Sequence, residues 1–204
     1  MHDDMQHAGF HAQTERLILR DWQEADLAPF LEATNTPVVM RWLGGVMEQA
    51  GAQAMLDRVQ FYQREHGFTF WILQRKEDGG HLAGEILGFC GLKRANMEPG
   101  PMGDVEIGWR LREDAWGRGY ATEAARATMD LAFARFAAPH VVALTVEGNA
   151  ESRRLMDRLG MERRQDLDFT AAQDGLWAKH IIIYDITAEA WRAQGSAAPL
   201  RAHR

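Results

Sequence analysis

The sequence contains little that would support a disulfide framework or a membrane span. Among its 204 residues only Cys90 is a cysteine, which excludes an intrachain disulfide and a cluster of thiolate metal ligands. No apolar run approaches the roughly 18 residues of a transmembrane helix, and the N-terminal stretch lacks the apolar core of a signal peptide. We therefore expect a cytoplasmic protein with no membrane partner.

Positive charge is also scarce. The chain has 23 Lys and Arg residues against 29 Asp and Glu residues, a net charge of -6. Binding that is dominated by phosphate contacts needs a basic surface, so we expect no nucleic-acid partner. A cationic substrate suits this charge better. The composition, 46% hydrophobic and 25% charged, is that of an ordinary globular chain.

The domain organisation follows from the two ends of the chain. Residues 1–13 are polar and hold three histidines without any spacing that would fix a coordination geometry, so a flexible tail without metal is predicted. Residues 195–204 look like a second flexible tail. A single domain is expected over residues 14–194, with no linker or internal repeat.

Hydrophobic periodicity predicts the order β-α-α-β-β-β-α-β-α-β-β. Pro37 is expected to end the first helix, and residues 161–169 are expected to form a strand. The order combines hairpins with one β-α-β crossover, so the fold class is α+β or mixed α/β rather than a doubly wound parallel sheet. The segment 105–111 alternates as a strand, with Glu106, Gly108 and Arg110 on one face.

The stretch DAWGRGYATEAARATMDLAF, residues 114–133, places two glycines directly before an amphipathic helix predicted over about 122–136. Such a helix start binds anions, because the first N–H groups have no acceptor within the helix and glycines let phosphate oxygens approach the backbone. Gly117 and Gly119 are therefore the predicted phosphate-binding positions.

Three nucleotides could use such a site. The Walker pattern is absent, which disfavours ATP and GTP. The dinucleotide pattern nearly fits from Gly117, but Thr122 stands at its third glycine position, which disfavours NAD. The pyrophosphate of coenzyme A is the alternative that fits best.

Two motifs then show a resemblance to a known family. WGRGYA (116–121) resembles the acyl-CoA signature of the GNAT superfamily of N-acetyltransferases, and VEGNAESRRLMDRLGM (146–161) resembles its second signature. Together with IGWRL, YATEAA and TERLILR, they make the chain most similar to the RimJ/RimL-like, ribosomal-protein alanine N-acetyltransferase type, over roughly residues 14–192.

The resemblance implies a mixed, mainly antiparallel sheet of about six or seven strands, with helices on both faces and a splayed strand pair that holds acyl-CoA. It also implies acetyl-CoA as cosubstrate, an amine acceptor, no metal, no acyl-enzyme, and a monomer or homodimer. The residues that the resemblance assigns to acetyl-CoA are Trp109, Arg110, Leu111, Arg112, Trp116, Gly117, Arg118, Gly119, Tyr120, Ala121, Thr122, Asn149 and Ser152.

Two residues are predicted to be catalytic. Glu106 is the candidate general base, through a water molecule; the alternative is an ion pair with Arg110. Ser152 matches the serine that RimJ/RimL-like enzymes are thought to use on the CoA sulfur; the alternative is a helix-capping serine. Met156 stands where many members carry a tyrosine thought to protonate the thiolate.

Other parts of the site are less specified by the sequence. Among the arginines, Arg112 and Arg118 are the first candidates for the pyrophosphate. The acceptor pocket is expected from residues 36–45 and 169–180. The candidates to line this pocket are the aromatic residues Trp42, Phe68, Trp71 and Trp177. The candidates to attract an ammonium group are Asp168 and Asp174.

The leading hypothesis is N-acetyl transfer from acetyl-CoA to a primary amine, either a protein N-terminus or a small molecule. A non-catalytic acyl-CoA-binding or sensor module is the alternative from another class, and a NAD-binding protein is the third.

Overall fold

A computed structural model describes residues 9–171, 179–195 and 201–203, and its centre is one sheet of ten strands in this part of the chain. The strands are β1 (His11–Gln13), β2 (Leu17–Arg20), β3 (Phe70–Arg75), β4 (Ile86–Arg94), β5 (Val105–Leu111), β6 (His140–Val146), β7 (Glu162–Arg163), β8 (Phe169–Ala171), β9 (Lys179–Thr187) and β10 (Arg201–His203). The helices are α1 (Leu27–Thr34), α2 (Pro37–Met40), α3 (Gln49–His66), α4 (Tyr120–Ala134), α5 (Ala150–Arg158) and α6 (Ala188–Ala193).

The strands run in the order β10-β1-β2-β3-β4-β5-β6-β9-β7, and β8 pairs with β9. Every pair is antiparallel except β5 and β6, which run parallel because α4 crosses over between them. The predicted mixed, mainly antiparallel sheet is confirmed, with more strands than expected because four of the ten are only two or three residues long.

Three hydrophobic clusters cover the faces of the sheet, and two of them meet at β3. Leu73 belongs to a core that is shared with α4, α5 and α6, whereas its neighbour Ile72 belongs to a second core with α1 and α3. Successive residues of a strand point to opposite faces, so both faces of β3 are buried. This explains why its sequence is nearly continuously apolar.

The first helix ends at Thr34, before Pro37, as predicted, but Pro37 also begins a second helix that was not predicted. Pro37 is the first residue of α2, where a missing N–H costs nothing, and the Thr36 side chain accepts a hydrogen bond from Val39 N–H at 3.3 Å. The strand predicted over residues 161–169 was wrong. Glu162–Arg163 forms the short strand β7, a 3-10 helix interrupts the segment at Gln165–Leu167, and β8 begins only at Phe169.

The predicted tails were drawn too wide. Phe10 and Ala12 are buried, and the Phe10 ring stacks on Trp71 with 4.1 Å between the ring centroids. β1 pairs with β2 on one side and with β10 on the other. His11–Gln13 and Arg201–His203 therefore belong to the sheet, and the buried side chains of Phe10 and Ala12 complete its core.

Candidate active site

The centre of the site is a gap between β5 and β6. The two strands are seven residues long, yet they share a single register pair, Glu106 with Val142. Beyond that pair they diverge, which is the splay that the sequence resemblance implied.

The phase of the β4–β5 pairing determines which backbone groups face the gap. Ala95 N–H donates to Asp104 O at 2.8 Å, and Arg112 N–H donates to Leu87 O at 2.8 Å. In an antiparallel pair every second residue bonds to the same neighbour, so the even-numbered residues of β5 bond to β4. Trp109 and Leu111 therefore direct their N–H groups towards the gap.

Arg110 is placed differently from its two neighbours. Its backbone lies opposite Phe89 in β4, and its side chain projects to the face that carries Glu106. Of the three consecutive residues predicted to contact the cofactor, the outer two present backbone groups to the gap and the middle one does not.

The gap opens into a cavity of about 640 Å³. Predicted site residues that line it are Glu106, Trp109, Arg110, Leu111, Trp116, Gly117, Ala121, Asn149 and Ser152. Predicted residues that do not line it are Arg112, Arg118, Gly119, Tyr120 and Thr122. The sequence thus located both the strand and the helix start that form the cavity wall.

The start of α4 is built to receive an anion. Gly119 precedes the helix with φ 80°, and the Glu123 N–H donates to Gly119 O at 3.0 Å as the first helical bond. The N–H groups of residues 120–122 therefore have no acceptor within the helix. Gly117 has φ 71°, and a Cβ atom added there would meet nothing within 4 Å. Positive dipole, unpaired N–H groups and open space together fit a pyrophosphate.

The arginines that line the cavity are not the two that the sequence placed first as pyrophosphate ligands. Arg112 is held by Asp114, with its Nε 2.6 Å from Oδ1, and by Glu85 at 3.4 Å. Arg118 is exposed and its side chain does not line the cavity. Arg154 and Arg158 of α5 line the cavity instead. The helical spacing of four residues was the signal for this pair, because it places both side chains on one face.

Tyr120 also lies away from the cavity. Its ring is buried in the core, and its hydroxyl accepts from Arg75 Nε and donates to His81 O, both at 3.3 Å. Only its backbone N–H is available at the helix start, so the aromatic ring anchors α4 to the sheet.

Glu106 is almost fully buried, with 8% of its surface exposed, at the point where β5 and β6 part. Burial raises the pKa of its carboxyl group, and the Lys93 ammonium partly offsets this effect. Lys93 Nζ lies 3.1 Å from Glu106 Oε2, within ion-pair distance but outside hydrogen-bond geometry. The alternative ion pair with Arg110 was wrong, because the cross-strand neighbour in β4 is the lysine.

Ser152 and Asn149 lie at the start of α5. Asn149 Oδ1 accepts a hydrogen bond from Ser152 N–H at 3.3 Å, so the asparagine is the N-cap of the helix. The Ser152 hydroxyl does not cap the helix; it accepts a hydrogen bond from Trp109 Nε1 at 3.3 Å. Met156, one turn further, is buried against the same cavity and offers no proton.

Exposed apolar side chains form one part of the cavity wall. Val38, Trp42 and Leu43 line it and are exposed. Phe70 lines it as well and lies over Gly108, where a Cβ atom would come within 2.8 Å of the ring. A side chain at position 108 would displace this ring, which explains the glycine.

Several residues proposed for the acceptor pocket lie elsewhere. Phe68 and Trp71 are buried in the core on the α4 side of the sheet. Asp168 forms an ion pair with Arg163 and accepts from Ile183 N–H at 3.1 Å, so its charge is already balanced. Asp174 and Trp177 lie outside the described residues.

Two broader features concern metals and membranes. No cluster of three or more potential metal ligands occurs among residues 9–171, 179–195 and 201–203. Within the same ranges, every helix is too short or too polar to cross a bilayer.

Residues 16–162 match the family model described as an acetyltransferase (GNAT) domain, so the chain belongs to the GNAT acetyltransferase family. The reaction of this family is acetyl transfer from acetyl-CoA. The free backbone groups of the gap and the anion site at α4 fit that cosubstrate.

The chain is also similar to individual relatives. The chain is 29% identical to the uncharacterized protein YkkB of Bacillus subtilis (strain 168) over 173 residues, which is 84% of this chain and 92% of the relative. It is 27% identical to the uncharacterized N-acetyltransferase YnaD of the same organism, over 75% of this chain and 83% of the relative. A solved acetyltransferase from Agrobacterium tumefaciens str. C58 superposes with a TM-score of 0.68 at 25% identity, covering 85% and 93% of the two chains.

A second solved structure concerns the type within the family. The ribosomal-protein-S5-alanine acetyltransferase from Vibrio fischeri superposes with a TM-score of 0.66 at 16% identity. The match covers 89% of this chain and 98% of the other, and it shows a shared fold.

Proposed function

We propose that the protein is an N-acetyltransferase that moves the acetyl group of acetyl-CoA directly to a primary amine, without an acyl-enzyme. The observation that carries the proposal is the position of Glu106. This carboxylate is buried at the point where the backbone of β5 becomes free, and it lines the same cavity as the exposed apolar side chains of Val38, Trp42 and Leu43. An amine that enters this cavity would meet the base beside the free backbone groups that fit the cosubstrate.

Each chemical requirement has a candidate group. The amine must lose a proton, and a carboxylate whose pKa is raised by burial is a stronger base than an exposed one. The carbonyl oxygen gains negative charge, which a free N–H of Trp109 or Leu111 would stabilise. The thiolate must gain a proton, and the Ser152 hydroxyl is the candidate donor.

The hydrogen bond from Trp109 supports this role of Ser152. Because the hydroxyl oxygen accepts from the indole N–H at 3.3 Å, its own proton is directed elsewhere. The cavity that Ser152 lines is the space in which the CoA sulfur would lie. The RimJ/RimL-like type, acting on a protein N-terminus, is one form of the proposal; a small-molecule amine is the other.

The test is acceptor-dependent release of CoA thiol from acetyl-CoA, measured over a panel of peptides with free N-termini and small amines. Wild-type protein is expected to release thiol with at least one acceptor class, and mass spectrometry should show a product heavier by one acetyl group. Absence of acceptor-dependent thiol over the whole panel, together with tight CoA binding by calorimetry, would instead support a non-catalytic acyl-CoA-binding module. Met156 in the tyrosine position is the feature that keeps this second candidate open.

A further inference from the structure

Arg110 is a buried cation that has no carboxylate partner among the described residues. Only 5% of its surface is exposed. The centre of its guanidinium group lies 4.6 Å from the Phe30 ring centroid and 5.1 Å from that of Phe89. Its two terminal nitrogens lie 2.9 Å from Met40 Sδ and 3.0 Å from Met55 Sδ, and its Nε has no hydrogen-bond partner.

These contacts do not compensate a buried charge well. A thioether sulfur is a weak acceptor, and a guanidinium group has five N–H donors. The two aromatic rings contribute cation–π attraction but accept no conventional hydrogen bond. Burial lowers the pKa of Arg110 to about 10, so the group is still charged at neutral pH. An arginine in this setting lacks the anion that such groups normally bind in protein interiors.

The position of Arg110 on β5 indicates that its side chain would contact the acceptor rather than the cosubstrate. Its side chain is on the same face of β5 as Glu106, four residues away, or about 13 Å along the strand. Both residues line the cavity, and Gly108 between them leaves room there for the ring of Phe70. The face therefore holds a base at one point, a cation at another, and apolar side chains around them.

We propose that Arg110 binds a carboxylate of the acceptor, so that the acceptor is a small amino carboxylate with an apolar body, such as an amino acid. This inference rests on the proposed amine acetylation and narrows its substrate class. The planar guanidinium fork matches a carboxylate in a bidentate arrangement. The aliphatic and aromatic lining at Val39, Phe70 and Phe89 suits an apolar side chain.

A carboxylate fits this face better than a phosphate. A phosphate carries nearly two negative charges at neutral pH, whereas Arg110 offers one positive charge and Lys93 is engaged by Glu106. The Glu106 carboxylate on the same face would also repel a dianion. Met40 and Met55 have flexible side chains, which can move so that the guanidinium group binds a stronger hydrogen-bond acceptor.

The experiment compares acceptors that differ only in the carboxylate. Phenylalanine, leucine and methionine are each tested against the corresponding amine without the carboxylate and against the amino-acid amide, with saturating acetyl-CoA and thiol release as readout. The wild-type protein is expected to have a lower KM for each acid than for its amine or amide.

Arg110→Met removes the charge and keeps an apolar side chain of suitable length for the site. We expect the KM for the acids to rise about 10- to 100-fold, the range for a lost hydrogen bond to a charged group, with little change in kcat. The KM values for acetyl-CoA and for the amines should not change. Arg110→Lys should restore part of the preference for the acids.

Arg58→Met is the matched control, because Arg58 is exposed on α3, away from the cavity. The melting temperature of each variant shows whether the fold is intact. Arg110→Met should melt at or above the wild-type temperature, because replacing an unpaired buried charge by an apolar side chain removes a desolvation cost. A purely structural Arg110 would change the KM for acids and amines equally, and that result would overturn the inference.

A wild type that prefers the amines, or only peptides with a free N-terminus, would also overturn it. If the wild type releases no thiol with any acceptor, the proposed acetylation fails, and calorimetry then tests Arg110 separately. Binding of phenylalanine to the wild type in the presence of CoA, lost in Arg110→Met and kept in Arg58→Met, would support the carboxylate site alone. No binding to either protein would reject it.

Discussion

The indole Nε1 of Trp109 donates a hydrogen bond to the hydroxyl oxygen of Ser152 at 3.3 Å and so connects β5 with the start of α5. The two residues are 43 positions apart in the chain; Trp109 lies in the IGWRL motif and Ser152 in the second signature. The contact fixes the direction of the serine hydroxyl at the wall of the cavity.

Replacement of Ser152 by alanine should lower kcat by about 10- to 100-fold, because general acid catalysis of thiolate departure is lost while binding surfaces are kept. Trp109→Phe should have a smaller effect in the same direction, since the ring still packs but no longer orients the hydroxyl. Steady-state thiol release measures both. Ser152→Thr keeps a hydroxyl and is the control; equal activity of the alanine and threonine variants at the wild-type level would exclude Ser152 as the donor.

The pH dependence of kcat/KM should report Glu106. Only the ionised carboxylate accepts a proton, so activity falls as the pH falls through its pKa, which burial raises above the ordinary value of 4.5. Glu106→Gln should lower kcat/KM by about 100-fold or more and remove this acidic limb. A variant that keeps the wild-type limb and rate would show that another group, or water alone, acts as the base.

Lys93 should influence the pH at which the acidic limb of the kcat/KM profile lies. Its ammonium group lies 3.1 Å from Glu106 Oε2 and lowers the carboxyl pKa. In Lys93→Met the pKa of Glu106 rises further, so the acidic limb of the profile should move to higher pH. Arg58→Met, which removes a distant positive charge, should leave the limb in place. A shift to lower pH in Lys93→Met would contradict the ion pair.

Gly117 should be required for CoA binding, and its role should not be limited to folding. Gly117 (φ 71°) and Gly79 (φ 72°) have the same backbone conformation, and a Cβ atom at either meets nothing within 4 Å. Substitution by leucine therefore strains both by a similar amount, about 1–3 kcal/mol. Only Gly117→Leu should weaken CoA binding, by at least tenfold in calorimetry, because its side chain occupies the phosphate approach. Equal affinities in the two variants would place the pyrophosphate elsewhere.

The single thiol of the chain should be inert in the native protein. Burial raises the pKa of the Cys90 thiol to about 12, and its Sγ lies 3.4 Å from the Thr128 hydroxyl. Since the thiolate is the reactive form, a chromogenic disulfide reagent should detect no thiol in the folded protein and one per chain in guanidinium chloride. Rapid reaction of the native protein would mean that β4 opens readily.

Features that depend on local sequence signals were predictable, whereas features that depend on long-range contacts were not. The alternation in residues 105–111 and the glycines before α4 are local signals, and the strand and the helix start appear where they were expected, with α4 beginning two residues earlier. The strand predicted at residues 161–169 is interrupted by a 3-10 helix at Gln165–Leu167, because a segment with so few apolar residues carries no strong strand signal. The burial of Phe10 beside the sheet depends on Trp71, 61 positions away, which no local pattern contains.

The sequence alone determined the class of sheet, the acetyltransferase family, and the strand and glycine-preceded helix start in the cavity wall, because these depend on periodicity, on glycine at positive φ and on short motifs. Tertiary structure alone decided the ionic partners. Lys93 rather than Arg110 faces Glu106 because β4 lies beside β5 in one particular register, and Arg110 is left among two rings and two thioethers from α1, α2, α3 and β4. Which charges are paired, and which cation is buried without a carboxylate partner among the described residues, follows from strand pairing across the chain and from burial.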